Sequence, residues 1–241
     1  MNTVAIIQAR TGSTRLPGKV LLTLAGEPML AQVARRVQRS KRINTTVIAT
    51  TDQPGDDAIV SLCDGLQIPY FRGSEADVLD RYYQAAKTFQ GDVVVRITSD
   101  CPLIDPKIID EVVAAFQKRR PKLDYLVTFQ FPRGLDTEVF SFSALEQAWR
   151  EDRNPAWREH ATVFIYRNPD RFRIGELRCP RDLSHLRWTV DTSEDFELVR
   201  RIYEHFGHNH FGWLDVLATL EAHPDWSNLN RHVHQKTVSE K

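Results

Sequence analysis

A loop rich in glycine, hydroxyl and cationic residues follows the first apolar segment of the chain. This loop, residues 8–19, contains Gly12, Gly18 and the cations Arg10, Arg15 and Lys19. Glycine lets backbone N–H groups approach an anion closely, and arginine and lysine side chains neutralise its charge. The combination predicts a polyphosphate site, with triphosphate as the natural ligand. We expect the Arg15 and Lys19 side chains to be exposed before a ligand binds.

The loop departs from two common phosphate-binding signatures. Five residues separate Gly12 from Gly18, whereas the P-loop spacing is one residue shorter. Val20 stands where a P-loop has the serine or threonine that holds magnesium. The GxGxxG fingerprint of dinucleotide-binding proteins is absent as well. A basic surface turn is the plain alternative, and the number of phosphate-compatible groups argues against it.

Two aspartates follow other apolar segments and can act together. Asp100 comes after one predicted strand, and Asp191 comes after another at residues 186–190. Mg²⁺ is usually held by one or two carboxylates together with substrate phosphates. We therefore expect Asp100 and Asp191 to lie at adjacent strand ends, face the cationic loop and share one Mg²⁺. Asp105, directly before Pro106, is expected to cap a helix instead.

Short apolar segments alternate with segments of helical period along most of the chain. This alternation predicts an α/β fold with a mostly parallel sheet covered by helices on both faces. In such sheets ligands bind beyond the carboxyl ends of the strands, where both the loop and Asp100 are expected. The predicted strands span residues 4–7, 47–49, 68–71, 93–97, 125–129, 137–140 and 186–190, and the main predicted helices span 28–39, 55–66, 74–89, 193–206 and a segment from Pro106.

The composition fits one compact domain. Apolar residues make up 41% and charged residues 27% of the 241 residues, so the chain can bury a core. We predict a single domain over residues 1–230, in which the less regular residues 124–180 form a substrate and dimer elaboration. Residues 231–241 are predicted to form a flexible polar tail.

Charge, hydropathy and cysteine content exclude several classes of protein. Lysine plus arginine and aspartate plus glutamate number 32 each, so no global field favours nucleic acid or anionic lipid. No apolar run approaches the length needed to cross a bilayer. Cys63, Cys101 and Cys179 are odd in number and lack CxxC spacing, which favours neither disulfides nor a cysteine zinc site. We expect a cytoplasmic protein with neither a nucleic-acid partner nor membrane insertion.

The cationic loop and several later motifs resemble one known family. They are similar to sugar cytidylyltransferases of the CMP-KDO and CMP-sialic acid synthetase type, and most similar to the branch of the spore coat polysaccharide biosynthesis protein SpsF. The resemblance extends from residue 1 to about residue 206. The motifs that carry it are residues 7–19, 24–29, 71–83, 98–106, 134–140, 158–160 and 183–191.

This resemblance implies a fold, a reaction and a set of roles. The fold is a three-layer α/β/α nucleotide-diphospho-sugar transferase fold, Rossmann-like. The reaction transfers CMP from CTP to a sugar-type acceptor with Mg²⁺, in a homodimer, for surface polysaccharide or glycan synthesis. The implied nucleotide-binding residues are Gln8, Ala9, Arg10, Gly12, Ser13, Thr14, Arg15, Lys19, Thr98 and Asp100. Catalysis is assigned to Arg10, Arg15, Lys19, Asp100 and Asp191, metal binding to Asp100 and Asp191, and acceptor binding to Arg72, Glu138, Arg158 and His160.

Several alternatives stay open at this point. The acceptor is a nonulosonic acid, another sugar acid or a smaller polyol, because the motif around Asp100 matches neither synthetase type in full. A uridylyl- or guanylyltransferase on the same fold is a second possible enzyme. A non-catalytic nucleotide-binding module is the competing class, and the intact Asp100, Asp191 and loop cations argue against it.

Overall fold

The computed structural model describes residues 1–235; residues 236–241 of the predicted tail lie outside the described residues. The strands are β1 (Thr3–Gln8), β2 (Thr23–Leu24), β3 (Glu27–Pro28), β4 (Thr45–Thr51), β5 (Tyr70–Gly73), β6 (Val93–Thr98), β7 (Tyr125–Phe129), β8 (Glu138–Ser141) and β9 (Ile174–Arg178). The α-helices are α1 (Met29–Gln38), α2 (Asp57–Leu66), α3 (Val78–Thr88), α4 (Pro106–Arg119), α5 (Phe142–Glu151), α6 (Pro155–Arg158), α7 (Val163–Tyr166), α8 (Ser193–Phe206), α9 (Trp213–Ala222) and α10 (Pro224–Ser227). Single 3₁₀ turns occur at Lys19–Leu21 and Pro54–Asp56.

Seven of the strands form one mixed sheet in the order β5-β4-β1-β6-β8-β7-β9. β1 pairs in parallel with both β4 and β6, which places Gln8 opposite Ala49 on one side and Thr98 on the other. β8 is antiparallel to both β6 and β7. The strand order reverses direction at β1, and the carboxyl ends of β1 and β6 meet there. This is the point where open α/β sheets bind ligands.

Both faces of the sheet are buried, as the alternation predicts. In β1, Ala5 and Ile7 belong to one hydrophobic cluster, whereas Val4 and Ile6 belong to the other. Apolar residues of α1, α2, α4, α8 and α9 cover the first face, and those of α3, α5 and α7 cover the second. The predicted three-layer arrangement is confirmed. Strands buried on both faces lack polar alternation, which explains the short continuous apolar runs.

The predicted strand at residues 186–190 is wrong. This segment makes only an isolated bridge, between Arg133 and Arg187, within residues 1–235. The chain at Gly134 passes close to the backbone of Trp188. The φ of +107° at Gly134 disfavours other residues, and a Cβ at this position would lie 2.7 Å from the Trp188 backbone. The Val190 N–H then donates to the Asp100 carbonyl at 2.8 Å. A loop contact, and not a strand end, therefore brings Asp191 close to Asp100.

Helix caps fix the chain where it leaves the sheet. Asp105 accepts from the Lys107 N–H at 2.7 Å with Pro106 at the first helical position, so the predicted cap of α4 is confirmed. α3 begins later than expected, because Asp77 is its cap. No helix among residues 1–235 has the length and apolarity needed to span a membrane.

Residues of the predicted elaboration extend the main sheet. Between residues 124 and 178 the chain contributes β7, β8 and β9. Tyr125 and Phe140 pack in the same hydrophobic cluster as Ile6 of β1. The core is therefore continuous across this boundary. The three cysteines are buried and unpaired.

Candidate functional site

A cavity of about 400 Å³ lies beyond the carboxyl ends of β1 and β6. It is lined by all the residues predicted for nucleotide binding and catalysis: Gln8, Ala9, Arg10, Gly12, Ser13, Thr14, Arg15, Lys19, Thr98, Asp100 and Asp191. These residues are spread along the sequence from Gln8 to Asp191, and the fold brings them together around one cavity. Their individual roles stay predictions.

Asp56 holds the start of the cationic loop. Its buried carboxylate accepts from the Thr11 N–H and the Thr11 hydroxyl, each at 2.7 Å. Thr51 on β4 donates to the other carboxylate oxygen. Burial acts to raise the pKa of Asp56, but the hydrogen bonds from Thr51 and Thr11 outweigh it and lower the pKa below its usual value. The charged form of Asp56 therefore ties the loop to the neighbouring strand.

The loop leaves several backbone donors free. The Thr11 carbonyl accepts from Ser13 at 2.8 Å and from Gly18 at 3.1 Å, which closes the loop into a turn. Gly18 has φ of +66°, a left-handed conformation that favours glycine. In residues 1–235, no hydrogen bond uses the N–H of Gly12 or Arg15. These amides are available to an anion in the cavity.

Lys19 is buried, contrary to the predicted exposure. The residue is 9% exposed, and its ammonium donates to the Val190 carbonyl at 2.6 Å. The same nitrogen contacts Asp191 Oδ1 at 2.9 Å and Asp100 Oδ2 at 3.4 Å. Burial alone lowers the pKa of Lys19, but Asp100 and Asp191 outweigh it and raise the pKa. The loop turns inward at Gly18, so the lysine points to the carboxylates and not to solvent.

Asp191 contacts three cations. Lys19 approaches Oδ1, while Arg15 at 2.9 Å and Arg187 at 2.8 Å approach Oδ2. Only 26% of the Arg15 side chain is exposed, so the predicted exposure of Arg15 is wrong as well. Burial acts to raise the pKa of Asp191, but these cations, Lys19 first, hold it below its usual value. Arg187 is positioned by Asp195 of the α8 capping box at 2.9 Å. Arg187 was not predicted as a site residue, although it lies in the motif at residues 183–191 that carries the family resemblance.

Asp100 and Asp191 offer ligands suited to a hard divalent cation. Both carboxylates contact the Lys19 ammonium, so one oxygen of each lies near the same nitrogen atom. This proximity agrees with the expectation for a shared Mg²⁺, although only one of the two follows a strand. No group of three or more His, Cys, Asp or Glu side chains is gathered for a metal in the part of the chain that the structure describes. A cation held here takes its remaining ligands from substrate or water.

His160 is the predicted acceptor residue that lines the cavity. Burial lowers the pKa of His160, and the charge of Arg96 lowers it further. Glu138 does not line the cavity; its carboxylate accepts from Arg96 and from the Tyr125 hydroxyl. Arg96 also donates to Gln8 Oε1 at 3.2 Å. The buried Arg96–Glu138 ion pair therefore supports the Gln8 side chain, which lines the cavity.

Arg72 and Arg158 also lie outside the cavity lining. Arg72 donates to Asp57 at 2.7 Å and to the Thr51 carbonyl at 2.9 Å. Arg158 donates to Asp77, the cap of α3, at 2.8 Å. Both guanidinium groups therefore bond to other protein groups, and these bonds hold the cavity wall in place. Their binding of an acceptor stays a prediction.

Three charged residues of the cavity lining were missed as site residues: Glu75, Arg81 and Glu159. Glu75 forms an ion pair with Arg10 at 3.2 Å at the mouth. Arg81 is 2% exposed and donates to the Ser74 carbonyl at 2.6 Å, and its Nε has no partner among residues 1–235. Val78 and Arg81 are three residues apart on α3, and this helical spacing was the signal for a shared face.

Comparisons with known proteins agree with this geometry. A family model described as "Cytidylyltransferase" matches residues 4–210. The spore coat polysaccharide biosynthesis protein SpsF of Bacillus subtilis is 33% identical over 228 residues, which cover 91% of this chain and 94% of SpsF. A solved cytidylyltransferase structure from Leptospira borgpetersenii serovar Hardjo-bovis has a TM-score of 0.91 and 34% identity, and covers 98% of this chain and 99% of its own. The structure of CMP:2-keto-3-deoxy-manno-octonic acid synthetase complexed with CTP, at a TM-score of 0.65, 18% identity and coverage of 85% and 99%, shares the fold.

Proposed function

Because the chain belongs to the cytidylyltransferase family, we propose that it transfers CMP from CTP to a hydroxyl group of a sugar or sugar acid and releases pyrophosphate. The observation that carries this proposal is a single cavity with free loop amides and cations on one side and two carboxylates on the other. An anion-binding loop facing carboxylates suits a nucleoside triphosphate and a divalent cation.

The loop residues bind the triphosphate in this proposal. The N–H groups of Gly12 and Arg15 donate to phosphate oxygens, while Arg10, Arg15 and Lys19 neutralise the charge of the leaving pyrophosphate. Such fixed donors stabilise the transition state because they need little reorganisation during the reaction. Asp56 keeps the loop in this conformation through Thr11.

Asp100 and Asp191 hold Mg²⁺ in the proposal. Bound there, the ion supplies Lewis-acid stabilisation of the charge on the α-phosphate and orients the attacking hydroxyl. The residues themselves need no covalent nucleophile, because the acceptor hydroxyl attacks phosphorus directly and pyrophosphate leaves in line. The thiol of Cys101 beside Asp100 fits this absence, since burial raises its pKa well above the usual value.

The acceptor enters beside His160 and Gln8. Both line the cavity, and the Arg96–Glu138 pair lies behind them. Because Gln8 Oε1 accepts from Arg96, its NH₂ group remains to donate to an acceptor oxygen. We assign the acceptor to the sugar acids or polyols of surface glycan synthesis. A cytoplasmic location and a homodimer remain part of the proposal.

Pyrophosphate release tests the reaction. Purified protein is incubated with Mg²⁺ and each of the four nucleoside triphosphates, against a panel of nonulosonic acids, other sugar acids and polyols. We expect release with CTP and one acceptor class, and none without acceptor. Preferential release with UTP or GTP would replace the cytidylyl assignment with one of the alternative transferases. Mg²⁺-dependent binding of CTP without turnover on any acceptor would favour the non-catalytic module.

A further inference from the structure

We propose that, in the nucleotide-free protein, the Lys19 ammonium occupies the place of the divalent cation between Asp100 and Asp191, and that the nucleotide must draw it away before the cation binds. The inference rests on the proposed function for the identity of the nucleotide. It goes further in assigning Lys19 a second role, as the counter-ion of Asp100 and Asp191 before the divalent cation binds.

The contacts of the lysine are those of a bound cation. Its nitrogen lies among three oxygens: the Val190 carbonyl at 2.6 Å, Asp191 Oδ1 at 2.9 Å and Asp100 Oδ2 at 3.4 Å. The side chain is 11% exposed, so water contributes little to its solvation. A divalent cation bridging these carboxylates needs the same space.

The neighbouring charges add to this exclusion. Asp191 Oδ2 already contacts Arg15 at 2.9 Å and Arg187 at 2.8 Å. Arg187 also pairs with the buried carboxylate of Asp195, so three cations already balance three carboxylates at this place. Adding a further two positive charges without an anion is unfavourable in a partly buried site, where charges are weakly screened.

A triphosphate reverses this balance. Its oxygens offer partners to Lys19 and Arg15, which both belong to the loop that lines the cavity. Their departure uncovers Asp191 Oδ1 and the facing oxygen of Asp100, whereas Arg187 still contacts Asp191 Oδ2. The phosphates meanwhile supply negative charge. Nucleotide and cation binding are therefore positively coupled, and the coupling is reciprocal: each strengthens the binding of the other.

Mn²⁺ titration of the nucleotide-free protein tests the inference. Free Mn²⁺ is measured by its paramagnetic resonance signal for the wild type, Lys19→Met and Lys41→Met. Lys41 is an exposed lysine away from the cavity, so its variant removes the same charge elsewhere. We expect Lys19→Met to bind one Mn²⁺ at least about tenfold more tightly than the wild type, because a contacting positive charge is lost. Lys41→Met should match the wild type.

A double variant locates the gained site. Adding Asp100→Asn to Lys19→Met should abolish the gain, since it removes one of the two carboxylates. Lys19→Gln, which keeps an uncharged donor between the carboxylates, serves if circular dichroism shows that Lys19→Met does not fold. Equal Mn²⁺ affinity of the wild type and the folded Lys19 variant would overturn the inference. The titration contains no nucleotide, so this failure is distinct from a failure to release pyrophosphate from CTP.

Discussion

The carboxylate of Asp56 accepts hydrogen bonds from both the backbone N–H and the side-chain hydroxyl of Thr11, each at 2.7 Å. Asp56 is buried in a 3₁₀ turn after β4, whereas Thr11 opens the cationic loop after β1. Two neighbouring strands of the sheet are therefore joined above their carboxyl ends. We expect the conformation of the cationic loop to be most sensitive to substitution at this contact between Asp56 and Thr11.

Asp56→Ala should weaken CTP binding by about tenfold and lower the free energy of unfolding by about 1 to 3 kcal/mol, because buried donors of Thr11 and Thr51 lose their acceptor. Isothermal titration calorimetry and urea unfolding measure the two effects. The control is Asp64→Ala, which removes an exposed carboxylate of α2 and leaves Thr11 bonded. Unchanged CTP affinity in a folded Asp56→Ala protein would show that the loop holds its conformation without this residue.

Lys19→Ala should lower turnover by roughly 10² or more, since it removes transition-state electrostatics near the leaving group. It should also destabilise the protein, by about 1 to 3 kcal/mol, because Asp100 loses its contacting cation, whereas Asp191 keeps Arg15 and Arg187. Lys41→Ala is the exposed control. Single-turnover kinetics and chemical unfolding separate the two effects. Near-normal turnover in the Lys19 variant would remove this lysine from the proposed mechanism.

Asp100→Asn and Asp191→Asn should each reduce turnover and raise the Mg²⁺ concentration needed for half-maximal activity. If both carboxylates hold one ion, the double variant should lose far less than the product of the two single losses, since residues that act as a unit are non-additive. Asp64→Asn, an exposed position on α2 that does not line the cavity, is the control. Strictly multiplicative losses would argue for two independent roles.

His160 should titrate below the ordinary histidine pKa, because burial and the Arg96 charge disfavour its protonated form. Folding then favours neutral His160, so its contribution to stability is present above about pH 6.5 and is lost as pH falls toward the folded-state pKa. Two-dimensional NMR of the imidazole signals, assigned with His160→Gln, gives the midpoint. A His160 midpoint at or above the ordinary histidine value of about 6.5 would contradict the burial argument.

Arg96→Met should lower the free energy of unfolding by about 3 to 5 kcal/mol, because Glu138 is left buried without its cation. The matched control is Arg35→Met, which breaks an exposed pair with Glu27 and should cost less than about 1 kcal/mol. Combining Arg96→Met with Glu138→Gln should recover part of the loss. An Arg96 variant no less stable than the Arg35 variant would show that the pair contributes little.

The sequence by itself determined the architecture and the region of the site. The alternation of short apolar runs with helical periods required a sheet covered on both faces, because only burial on both sides makes continuous apolar strands favourable. The loop at residues 8–19 was predicted to bind an anion from its residue types alone. Asp105 was correctly predicted as a helix cap, because an aspartate directly followed by a proline favours a helix start through local contacts alone.

Only the tertiary structure decided how the charges of the site pair with one another. Lys19 was expected to face solvent, yet it lies between Asp100 and Asp191, which follow it by 81 and 172 residues. Asp191 arrives there through a loop that crosses at Gly134, and not at the end of a strand. Residue types and periodicity encode local conformation, whereas ion pairs between distant segments depend on where the sheet brings their ends. That is why the sequence predicted the members of the site and the fold determined their contacts.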